Sequence, residues 1–360
     1  MSGLIVVNGR AAARAQLGGV ERWAREMAAR LPALRPGAYA VARPPRALAH
    51  GAGQLWEQAA LPALAAARRA AVVYSPANLA PLAWPRNALL LHDVAALRHP
   101  EWYSPAYVRW QRAVVPRAAR RARLLITVSE FSRREIAAAT GVDPAGIAVV
   151  AGGVGARFRP DADAPAAAAA LGLSRPYVLT LSTRYGRKNP GALALAARRL
   201  AAEGVDLVAA GGERPYMRAA GAAPGVRSLG YVPDALLPGL FAGARAFAFP
   251  SRDEGFGLPV LEALASGTPV VAGDSGALPE TCAGAARLVD PGDERAIADA
   301  VVGAVADEAE RERLRAAGLR RARELTRERA ARETDALLAA ASEGRAPRRT
   351  PQPALEGSGR

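Results

Sequence analysis

The sequence predicts an α/β protein with two doubly wound domains, each built on a parallel sheet. Short apolar runs alternate along the chain with longer segments rich in Ala, Arg and Leu at helical spacing, as in βαβ units. The apolar runs fall into two groups on either side of the Pro-, Asp- and Ala-rich segment 157–171. The 360 residues, 51% of them hydrophobic, are enough for two cores, although one large domain also fits this length.

The candidate strands give the order of elements. In the first group they are LIVVN (4–8), AVVYS (71–75), ALLLH (88–92), LLITV (124–128) and IAVV (147–150). In the second group they are YVLTLS (177–182), VDLVAAG (205–211), VRSLG (226–230), AFAFPS (246–251) and TPVVAG (268–273).

These groups predict an N-terminal domain over residues 1–165 and a C-terminal domain over 166–330. A C-terminal helix is expected at 331–345, and packing of this helix back on the N-terminal domain is one option. The residues 346–360 are rich in Pro and Gly and are predicted to be a disordered tail.

The formal net charge of +15, with a pI near 11.1, favours polyanionic partners such as nucleic acid, anionic lipid or nucleotides. The densest basic run is VPRAARRARLL (115–125), which has the pattern of a basic amphipathic helix; a solvated helix face is the alternative. Aromatic residues make up only 5% of the chain, which argues against a nucleic-acid partner.

The chain has one cysteine, Cys282, so it forms no internal disulfide, which fits a reducing compartment. The N-terminal GLIVVNGR leads straight into a strand pattern, without the features of a signal peptide. No apolar run reaches the 18 residues expected of a spanning helix. We therefore expect a cytoplasmic protein, with peripheral attachment to the inner face of the membrane left open.

The unusual residues of the chain come just after candidate strands. Gly18 and Gly19 open the helical segment VERWAREMAARL, and His92 follows the run ALLL. Lys188 follows YVLTLS, and the loop SRDEGFGLP follows AFAFP. Doubly wound sheets bind ligands at the carboxyl ends of their strands, so these residues are candidates for one binding site or several.

Lys188 is the only lysine in a chain with 48 basic residues. An ammonium group is a compact charge on a flexible stem, whereas a guanidinium group favours planar bidentate partners. We therefore expect Lys188 to contact a phosphate. Survival of a single lysine by chance is the alternative when this residue is considered alone.

The segment 250–280, PSRDEGFGLPVLEALASGTPVVAGDSGALPE, is the most informative stretch. Glu254 and Glu262 are eight positions apart, and a helix is predicted to begin near Leu258. Glycines after a strand let the backbone approach a ligand, and the N–H groups at the start of a helix attract an anion such as diphosphate. One carboxylate is expected to bind a sugar and the other a ribose diol.

This segment resembles the E-x7-E signature of retaining glycosyltransferases of family 4. That family uses nucleotide-sugar donors and has the GT-B fold, in which two Rossmann-like doubly wound domains face each other across a cleft. Three other stretches are similar to family segments. LGGVERWAREMA resembles the glycine loop near the donor phosphates, VSEFSRREI a strand-to-helix turn, and RKNP the phosphate-binding lysine loop. The resemblance covers roughly residues 1–325.

The resemblance implies roles for individual residues. Lys188 would neutralise the donor diphosphate, Glu254 would bind hydroxyls of the sugar ring, and Glu262 would bind the ribose. His92, in HDVAALRHPEWYSP, would contact the transferred sugar. The implied catalytic residues are His92, Glu254, Lys188 and Arg184, and the implied donor-binding residues are Gly18, Gly19, Gly255, Phe256, Gly257, Leu258 and Glu262.

Two stretches depart from the family pattern. Where many members have Gly-Arg or Gly-Thr before the lysine, this chain has Ser182, Thr183 and Arg184. Arg184 is favoured as the second phosphate ligand, and Arg187 is its competitor. VVAGGV (149–154) replaces the usual proline and asparagine before the glycine, which would alter the connection into the linker.

We expect no metal and no cofactor. Asp161-Ala162-Asp163 has the form of a metal-binding DxD, but it lies in the linker and is interpreted as a solvated turn. No other carboxylate and histidine cluster has the spacing of a metal site.

The resemblance thus implies an enzyme that moves a hexosyl group, with mannosyl favoured, from a GDP- or UDP-sugar. The acceptor would be a glycan or a lipid-linked glycan, in the synthesis of surface polysaccharide or glycolipid. The alternatives are a nucleotide-sugar epimerase or disaccharide phosphorylase on the same fold, or a non-catalytic protein that binds nucleotide or nucleic acid.

Overall fold

The structure is a computed structural model that describes residues 3–14, 18–45, 48, 53–181, 186–212, 216–218 and 223–345. The chain forms two compact units. Unit 1 contains the described residues of 1–94, 110–151 and 327–360, and unit 2 contains those of 95–109 and 152–326.

Unit 1 is built on a parallel sheet of six strands in the order β2-β1-β3-β4-β5-β6. The strands are β1 Ile5–Asn8, β2 Tyr39–Ala42, β3 Val72–Ser75, β4 Asn87–Leu90, β5 Leu124–Thr127 and β6 Ile147–Val149. Its α-helices are Gly19–Leu34, Gly53–Leu55, Leu61–Ala67, Glu130–Thr140 and Arg327–Ser342. The helix Pro105–Arg121 is shared between the units, and its residues from Trp110 onward belong to unit 1. Short turns are formed by Ala11–Ala13 and Pro144–Gly146 as 3₁₀-helix and by Trp56–Ala60 as π-helix.

Unit 2 has a second parallel sheet of six strands in the order β12-β11-β10-β7-β8-β9. The strands are β7 Tyr177–Thr180, β8 Asp206–Ala210, β9 Val226–Gly230, β10 Ala246–Phe249, β11 Val270–Gly273 and β12 Arg287–Val289. Its α-helices are Ala95–Arg98, Ala164–Ala170, Ala194–Ala202, Leu237–Ala242, Leu258–Ala265, Leu278–Cys282, Glu294–Ala306 and Glu308–Glu324. Pro100–Trp102, Gly186–Lys188 and Pro190–Leu193 form 3₁₀-helices.

The central strands of both sheets are buried along their whole length, as β1, β4, β7 and β10 show. Strands covered by helices on both faces need apolar side chains at consecutive positions, which explains the continuous apolar runs in the sequence. The core of unit 2 packs Val178, Ala246 and Val271 of the sheet against Ile297 and Val301 of the helix Glu294–Ala306.

The predicted α/β fold with two doubly wound sheets is confirmed, and each of the ten candidate runs overlaps a strand. The sequence did not predict β2 and β12. β2 is the four-residue stretch YAVA, and β12 is a three-residue strand that begins with the exposed Arg287. Two of the four residues of β2 are alanines, which are equally typical of a helix, and β12 begins with a charged residue, so neither stands out as an apolar run.

The boundaries between the two units differ from the predicted boundary at 165/166. The chain enters unit 2 at Gly152, which packs so closely on the Phe256 ring that a Cβ atom there would lie 2.5 Å from it. Two residues later, the Val154 N–H donates a hydrogen bond of 2.9 Å to the Leu325 carbonyl. Residues 95–109 also belong to unit 2.

The last helix, Arg327–Ser342, belongs to unit 1 and starts before the predicted range 331–345. It joins the helix Gly19–Leu34 through an ion pair between Arg327 and Glu26, with 2.5 Å between Nη1 and Oε1. Asp335 forms a second link, because its Oδ1 lies 2.7 Å from Arg35 Nε and accepts a hydrogen bond from the Tyr39 hydroxyl. The predicted tail 346–360 lies outside the described residues.

Within the described ranges, no helix combines the length and the apolar character needed to cross a bilayer.

We predict that Asp335→Ala loosens the last helix. The variant removes a charged partner of both Arg35 and Tyr39, so the free energy of unfolding should fall by about 1–2 kcal/mol. Urea titration followed by tryptophan fluorescence measures this change. As a control, Asp299→Ala removes an ion pair with Arg199 whose side chains are 57% and 39% exposed, and should change stability by less than about 0.5 kcal/mol. Equal effects of the two variants would show that Asp335 does not secure the helix.

Candidate active site

Two glycines shape the loop that follows β10. Gly257 precedes the helix Leu258–Ala265 with φ of +91°, and a Cβ atom there would lie 2.5 Å from Leu278 Cδ2. Gly276 has φ of +59°, and a Cβ atom there would lie 2.6 Å from the backbone nitrogen of Glu254. Both positions therefore require glycine, and together they determine the path of the backbone around Glu254.

Glu254 meets two cationic side chains from the loop after β7. Lys188 Nζ donates a hydrogen bond to Glu254 Oε1, and Arg187 Nη2 lies 3.5 Å from Oε2. Ser251 Oγ donates a third hydrogen bond, of 2.7 Å, to Oε1. The side chains of Glu254, Lys188 and Arg187 are only 7%, 15% and 16% exposed. The sequence-predicted Glu254 and Lys188 are thus brought into direct contact.

Burial alone would raise the pKa of Glu254, but the charges of Lys188 and Arg187 and the hydrogen bonds of Lys188 and Ser251 outweigh burial, so its pKa is lowered. The carboxylate is therefore ionised at neutral pH. Lys188 Nζ also lies 4.4 Å from the centre of the Phe249 ring, in a cation–π contact. Two cations thus lie beside this carboxylate, and such a concentration of positive groups suits an anionic ligand.

Backbone contacts tie the two loops together. The Arg187 carbonyl accepts a hydrogen bond from the Arg252 N–H at 2.8 Å, and Ser251 Oγ lies 3.0 Å from the same carbonyl oxygen. Asn189 adopts a left-handed conformation with φ of +54°, and its side-chain nitrogen donates to the Pro291 carbonyl at 2.7 Å. The RKNP segment is thereby held in a turn that directs Lys188 and Arg187 at Glu254.

The other predicted donor-binding residues of unit 2 lie in or beside the helix Leu258–Ala265. Gly255, Phe256 and Gly257 are buried, while Leu258 is half-buried at the first position of the helix. Glu262 is fully buried in the second turn. Its contact with a ribose stays a prediction.

In unit 1, His92 follows β4 and is 8% exposed. Its Nε2 lies 3.1 Å from the Pro76 carbonyl oxygen, so this nitrogen carries the proton and Nδ1 carries the lone pair. Its backbone is held by Asn78 Oδ1, which accepts from the His92 N–H at 2.7 Å, and by Ser132 Oγ, which donates to the His92 carbonyl at 2.9 Å. The Trp23 ring packs edge-on at 6.0 Å.

Burial lowers the pKa of His92, although the Pro76 carbonyl, Asp93 and Glu21 act in the opposite direction. His92 is therefore a neutral imidazole at neutral pH. It can accept a hydrogen bond at Nδ1, but it is a poor proton donor there because the ring is uncharged.

The glycine loop of unit 1 ends in an N-terminal cap. Gly18 is the cap of the helix Gly19–Leu34, and its N–H donates to Glu21 Oε2 at 3.0 Å. Glu21 Oε1 in turn pairs with Arg14 at 2.8 Å. The cap holds Gly18 and Gly19 at the start of the helix, and their contact with the donor stays a prediction.

The sequence patterns did not favour Arg187 and did not identify Ser251. Arg187, considered only as a competitor, is the arginine that the structure places beside Glu254. The favoured Arg184 lies outside the described residues, with Ser182 and Thr183. Ser251 was missed, although its position three residues before Glu254 in a tight loop is a signal for such a hydrogen bond.

A buried polar cluster at the carboxyl ends of β1 and β3 was also missed. Glu57 pairs with Arg10, with 3.0 Å between Oε2 and Nε, and accepts a hydrogen bond from Asn8 Nδ2 at 2.5 Å. Asn8 Nδ2 lies 3.3 Å from Ser75 Oγ as well. Burial raises the pKa of Glu57 against the effects of Arg10 and Asn8. Glu57 lies in the π-helical turn Trp56–Ala60, which the sequence pattern does not distinguish from an ordinary helix.

The described residues contain no group of three or more His, Cys, Asp and Glu side chains arranged to hold a metal ion. In the DxD of the linker, Asp163 caps the helix Ala164–Ala170 by accepting from the Ala166 N–H at 2.9 Å. Asp161 is exposed and pairs with Arg159 at 3.3 Å.

Comparison with known proteins identifies the family to which the chain belongs. Residues 175–307, which contain Lys188, Glu254 and Glu262, match the family described as "Glycosyl transferases group 1". The chain is similar to the O-antigen chain mannosyltransferase B of Escherichia coli, with 32% identity over 257 residues, 68% of this chain and 67% of that protein. The chain belongs to the group 1 glycosyltransferases. It is therefore a glycosyltransferase.

A second relative of this glycosyltransferase is a GDP-mannose-dependent alpha-(1-6)-phosphatidylinositol monomannoside mannosyltransferase of Mycobacterium tuberculosis, strain CDC 1551. It is 36% identical over 192 residues, which are 47% of this chain and 49% of that protein. The aligned region thus spans about two thirds of the E. coli relative and about half of the mycobacterial one.

Solved structures show that the glycosyltransferase has the GT-B fold. It is similar to sucrose-phosphate synthase from Thermosynechococcus elongatus, with a TM-score of 0.71 and 21% identity, over 92% of this chain and 97% of that chain. It is also similar to HepE of Anabaena in complex with UDP-glucose, with a TM-score of 0.70 and 20% identity, over 92% and 98% of the two chains.

We predict that His92 makes folding stability depend on pH. The unfolded chain protonates this histidine below about pH 6.5, whereas the folded chain keeps it neutral to a lower pH. Stability should therefore fall as the pH drops below about 6.5, until the folded-state pKa is also passed. Each unit of difference between the two pKa values corresponds to about 1.4 kcal/mol.

Urea titrations between pH 8 and pH 5.5 measure this contribution when wild type is compared with His92→Gln. The variant should lose less stability over this range than wild type. Parallel curves for the two proteins would show that His92 is not held neutral in the folded state.

Proposed function

We propose that this glycosyltransferase is a retaining enzyme that transfers a mannosyl group from a nucleotide-diphosphate sugar to a glycan or lipid-linked acceptor. The observation that carries the proposal is the cluster of Lys188, Arg187 and Glu254 at the carboxyl edge of the unit 2 sheet. It supplies two positive charges, held by an ionised carboxylate, inside the region that matches the family.

The cations would stabilise the leaving group. When the bond between C1 of the sugar and the diphosphate oxygen breaks, negative charge grows on the departing phosphate. Lys188 and Arg187 interact more strongly with that charge than with the intact donor, so they lower the barrier to transfer. Arg184 remains a proposed phosphate ligand of the same loop.

Glu254 has two proposed tasks. Its Oε1 positions the Lys188 ammonium group, and the ionised carboxylate accepts hydrogen bonds from hydroxyls of the transferred sugar. Glu262 is proposed to bind the ribose, and Gly255, Phe256, Gly257 and Leu258 are proposed to line the donor.

His92 is proposed to contact the transferred sugar as a hydrogen-bond acceptor. With the proton on Nε2 bound to the Pro76 carbonyl, Nδ1 is the nitrogen that accepts from a sugar hydroxyl. Its lowered pKa argues against a role as general acid at neutral pH.

The proposed reaction keeps the configuration at the anomeric carbon. The acceptor hydroxyl attacks C1 from the face that the diphosphate leaves. A new C1–O bond forms, the old one breaks, and the acceptor proton passes to the departing phosphate oxygen. No side chain forms a covalent bond to the sugar, and we propose that the reaction needs no metal ion.

Mannose is favoured as the transferred sugar because the two relatives described above are mannosyltransferases, one of them GDP-mannose-dependent. The Anabaena structure contains UDP-glucose, so a UDP-sugar is the competing donor. The O-antigen and phosphatidylinositol descriptions of the relatives support a role in surface polysaccharide or glycolipid synthesis.

The helix Pro105–Arg121 supports a proposed contact with the inner face of the membrane. Arg117, Arg120, Arg121 and the following Arg123 are exposed, whereas Val115, Ala118 and Ala119 are buried. Because the apolar face is covered by protein, the contact would be electrostatic and would not insert the helix into lipid. We propose a cytoplasmic location on the same basis, since anionic lipids are abundant in the cytoplasmic leaflet.

We predict that Lys188→Ala lowers kcat by a factor of about 10²–10³, the loss typical when a donor to a developing oxyanion is removed. Lys188→Arg should restore only part of the rate, because the guanidinium group does not fit the compact site between Glu254 and Phe249. Transfer is measured with GDP-mannose and with UDP-glucose, with and without magnesium, and the anomeric configuration of the product is read by NMR.

Nucleotide binding gives an independent readout of the same site. A ligand at 100 times its dissociation constant stabilises the wild type by about 2.7 kcal/mol, and this rise in Tm should be much smaller in Lys188→Ala. Arg199→Ala, which changes an exposed arginine of unit 2, is the control and should behave as wild type. Transfer that survives Lys188→Ala, or an inverted product, would refute the proposal; release of free phosphorylated sugar would indicate a phosphorylase.

We further predict that the triple variant Arg117→Glu, Arg121→Glu and Arg123→Glu loses co-sedimentation with vesicles that contain 30% phosphatidylserine. Arg120 is left unchanged because its Nη1 donates to the Thr140 carbonyl at 2.8 Å. Wild type should bind less tightly as salt is raised, because the attraction is electrostatic. Unchanged co-sedimentation of the triple variant would exclude this surface as the membrane contact.

A further inference from the structure

The segment Ala95–Arg109 lies against the loops that carry Lys188 and Glu254. It belongs to unit 2, whereas the residues before and after it belong to unit 1. It contains the helix Ala95–Arg98, the turn Pro100–Trp102 and the start of the helix Pro105–Arg121. In the stretch HDVAALRHPEWYSP, the family resemblance implied a role only for His92, which lies before this segment.

The first contact joins this segment to the loop after β10. Arg98 Nη1 lies 3.3 Å from Asp253 Oδ1. The Asp253 side chain is only 5% exposed, and this residue immediately precedes Glu254. An ion pair at Asp253 therefore restrains the backbone that carries the Glu254 carboxylate.

The second contact joins the segment to the loop after β7. The indole of Trp102 packs on Gly186, where a Cβ atom would lie 3.1 Å from Trp102 Cδ1 and 3.4 Å from Nε1. Gly186 begins the turn Gly186–Lys188, so the indole covers the base of the turn that carries both cations. His99 stacks on the Trp102 ring at 4.2 Å and holds it in place.

The segment is itself anchored in unit 2. Tyr103 pairs with Met217 as an antiparallel bridge, and the Ser104 N–H donates to the Tyr216 carbonyl at 3.0 Å. Tyr107 stacks on Tyr103 and Tyr216, with ring centres 5.6 and 4.9 Å apart. Arg98 and Trp102 are thus presented from a packed base.

We propose that Arg98 and Trp102 are positioning residues that hold the loops Gly186–Lys188 and Asp253–Glu254 where Lys188 and Arg187 meet Glu254. The inference rests on the proposed function of that cluster as the site of the donor diphosphate. Catalytic groups must be held within about 0.5 Å of their working geometry by the residues behind them. Neither Arg98 nor Trp102 is assigned any contact with the donor itself.

A double-mutant cycle tests the ion pair. Arg98→Ala should lower kcat by about 10- to 100-fold, because a shift of about 1 Å at a reacting group costs up to 10²-fold. The KM for the donor should change by less than about threefold, since Lys188 and Arg187 still provide the charge that binds the ground state. Asp253→Asn should have a similar effect, and the double variant should be no slower than the slower single variant.

Further variants separate positioning from simple loss of structure. Arg98→Lys should recover part of the rate, because it restores a cation facing Asp253. Trp102→Phe should retain more of the rate than Trp102→Ala, because a ring still covers Gly186. Arg109→Ala changes an exposed arginine of the same segment and should match wild type in rate and in Tm.

The kinetic and stability data on these variants either support or overturn the proposed positioning role. A kcat loss in Arg98→Ala with little change in Tm, and non-additivity with Asp253→Asn, supports it. Unchanged kcat, additive losses, or a loss explained by unfolding would overturn it. If Arg98→Ala does not fold, Arg98→Gln takes its place in the cycle with the same expectations.

Failure of the proposed function gives a different result from failure of this inference. A wild-type protein that shows no thermal shift with GDP or UDP and no sugar transfer would overturn both. A wild-type protein that binds nucleotide and transfers sugar, with an equally active Arg98→Ala, would overturn the inference alone.

Discussion

The ion pair between Lys188 and Glu254 is the interaction on which the site depends. The two residues are 66 positions apart, and they meet because β7 and β10 are neighbours in the unit 2 sheet. The register pairs Ala246 with Val178 and Phe247 with Leu179, in parallel, so both strands end at the same edge. The loop after each strand then emerges beside the other. Parallel pairing of these two strands thus creates the site, and the buried core beneath them holds it rigid.

The surroundings of this pair explain why the single lysine of the chain stands at position 188. Its ammonium group lies between the Glu254 carboxylate and the face of Phe249, a narrow space that suits a compact charge. Arg187 approaches the other carboxylate oxygen, with 3.5 Å between Nη2 and Oε2. Because Glu254 stays ionised, it holds both cations beside the edge of the sheet where we propose that a phosphate binds.

Local sequence patterns predicted much of the fold but little of the site geometry. Ten strands and the start of the helix at Leu258 followed from apolar runs and loop composition, and the same patterns separately indicated Lys188 and Glu254 as candidate site residues. Their contact did not follow, because strand order is a property of the whole sheet. The membership of residues 95–109 in unit 2 was equally hidden, because an amphipathic segment does not specify which core covers it. Glu57 was missed since its π-helical turn has the composition of a regular helix.

His92 and Glu254 are both buried at the carboxyl ends of strands, but their neighbours lead to different ionisation states. Burial disfavours the charged form of both His92 and Glu254. Glu254 overcomes this effect because two cations and a hydroxyl surround it, and it remains charged. For His92, the Pro76 carbonyl and the charges of Asp93 and Glu21 favour the protonated form, but burial outweighs them and the ring remains neutral. The charged Glu254 is therefore suited to positioning cations, and the neutral His92 is suited to accepting a hydrogen bond from a hydroxyl. These are the different roles proposed for the two residues in sugar transfer.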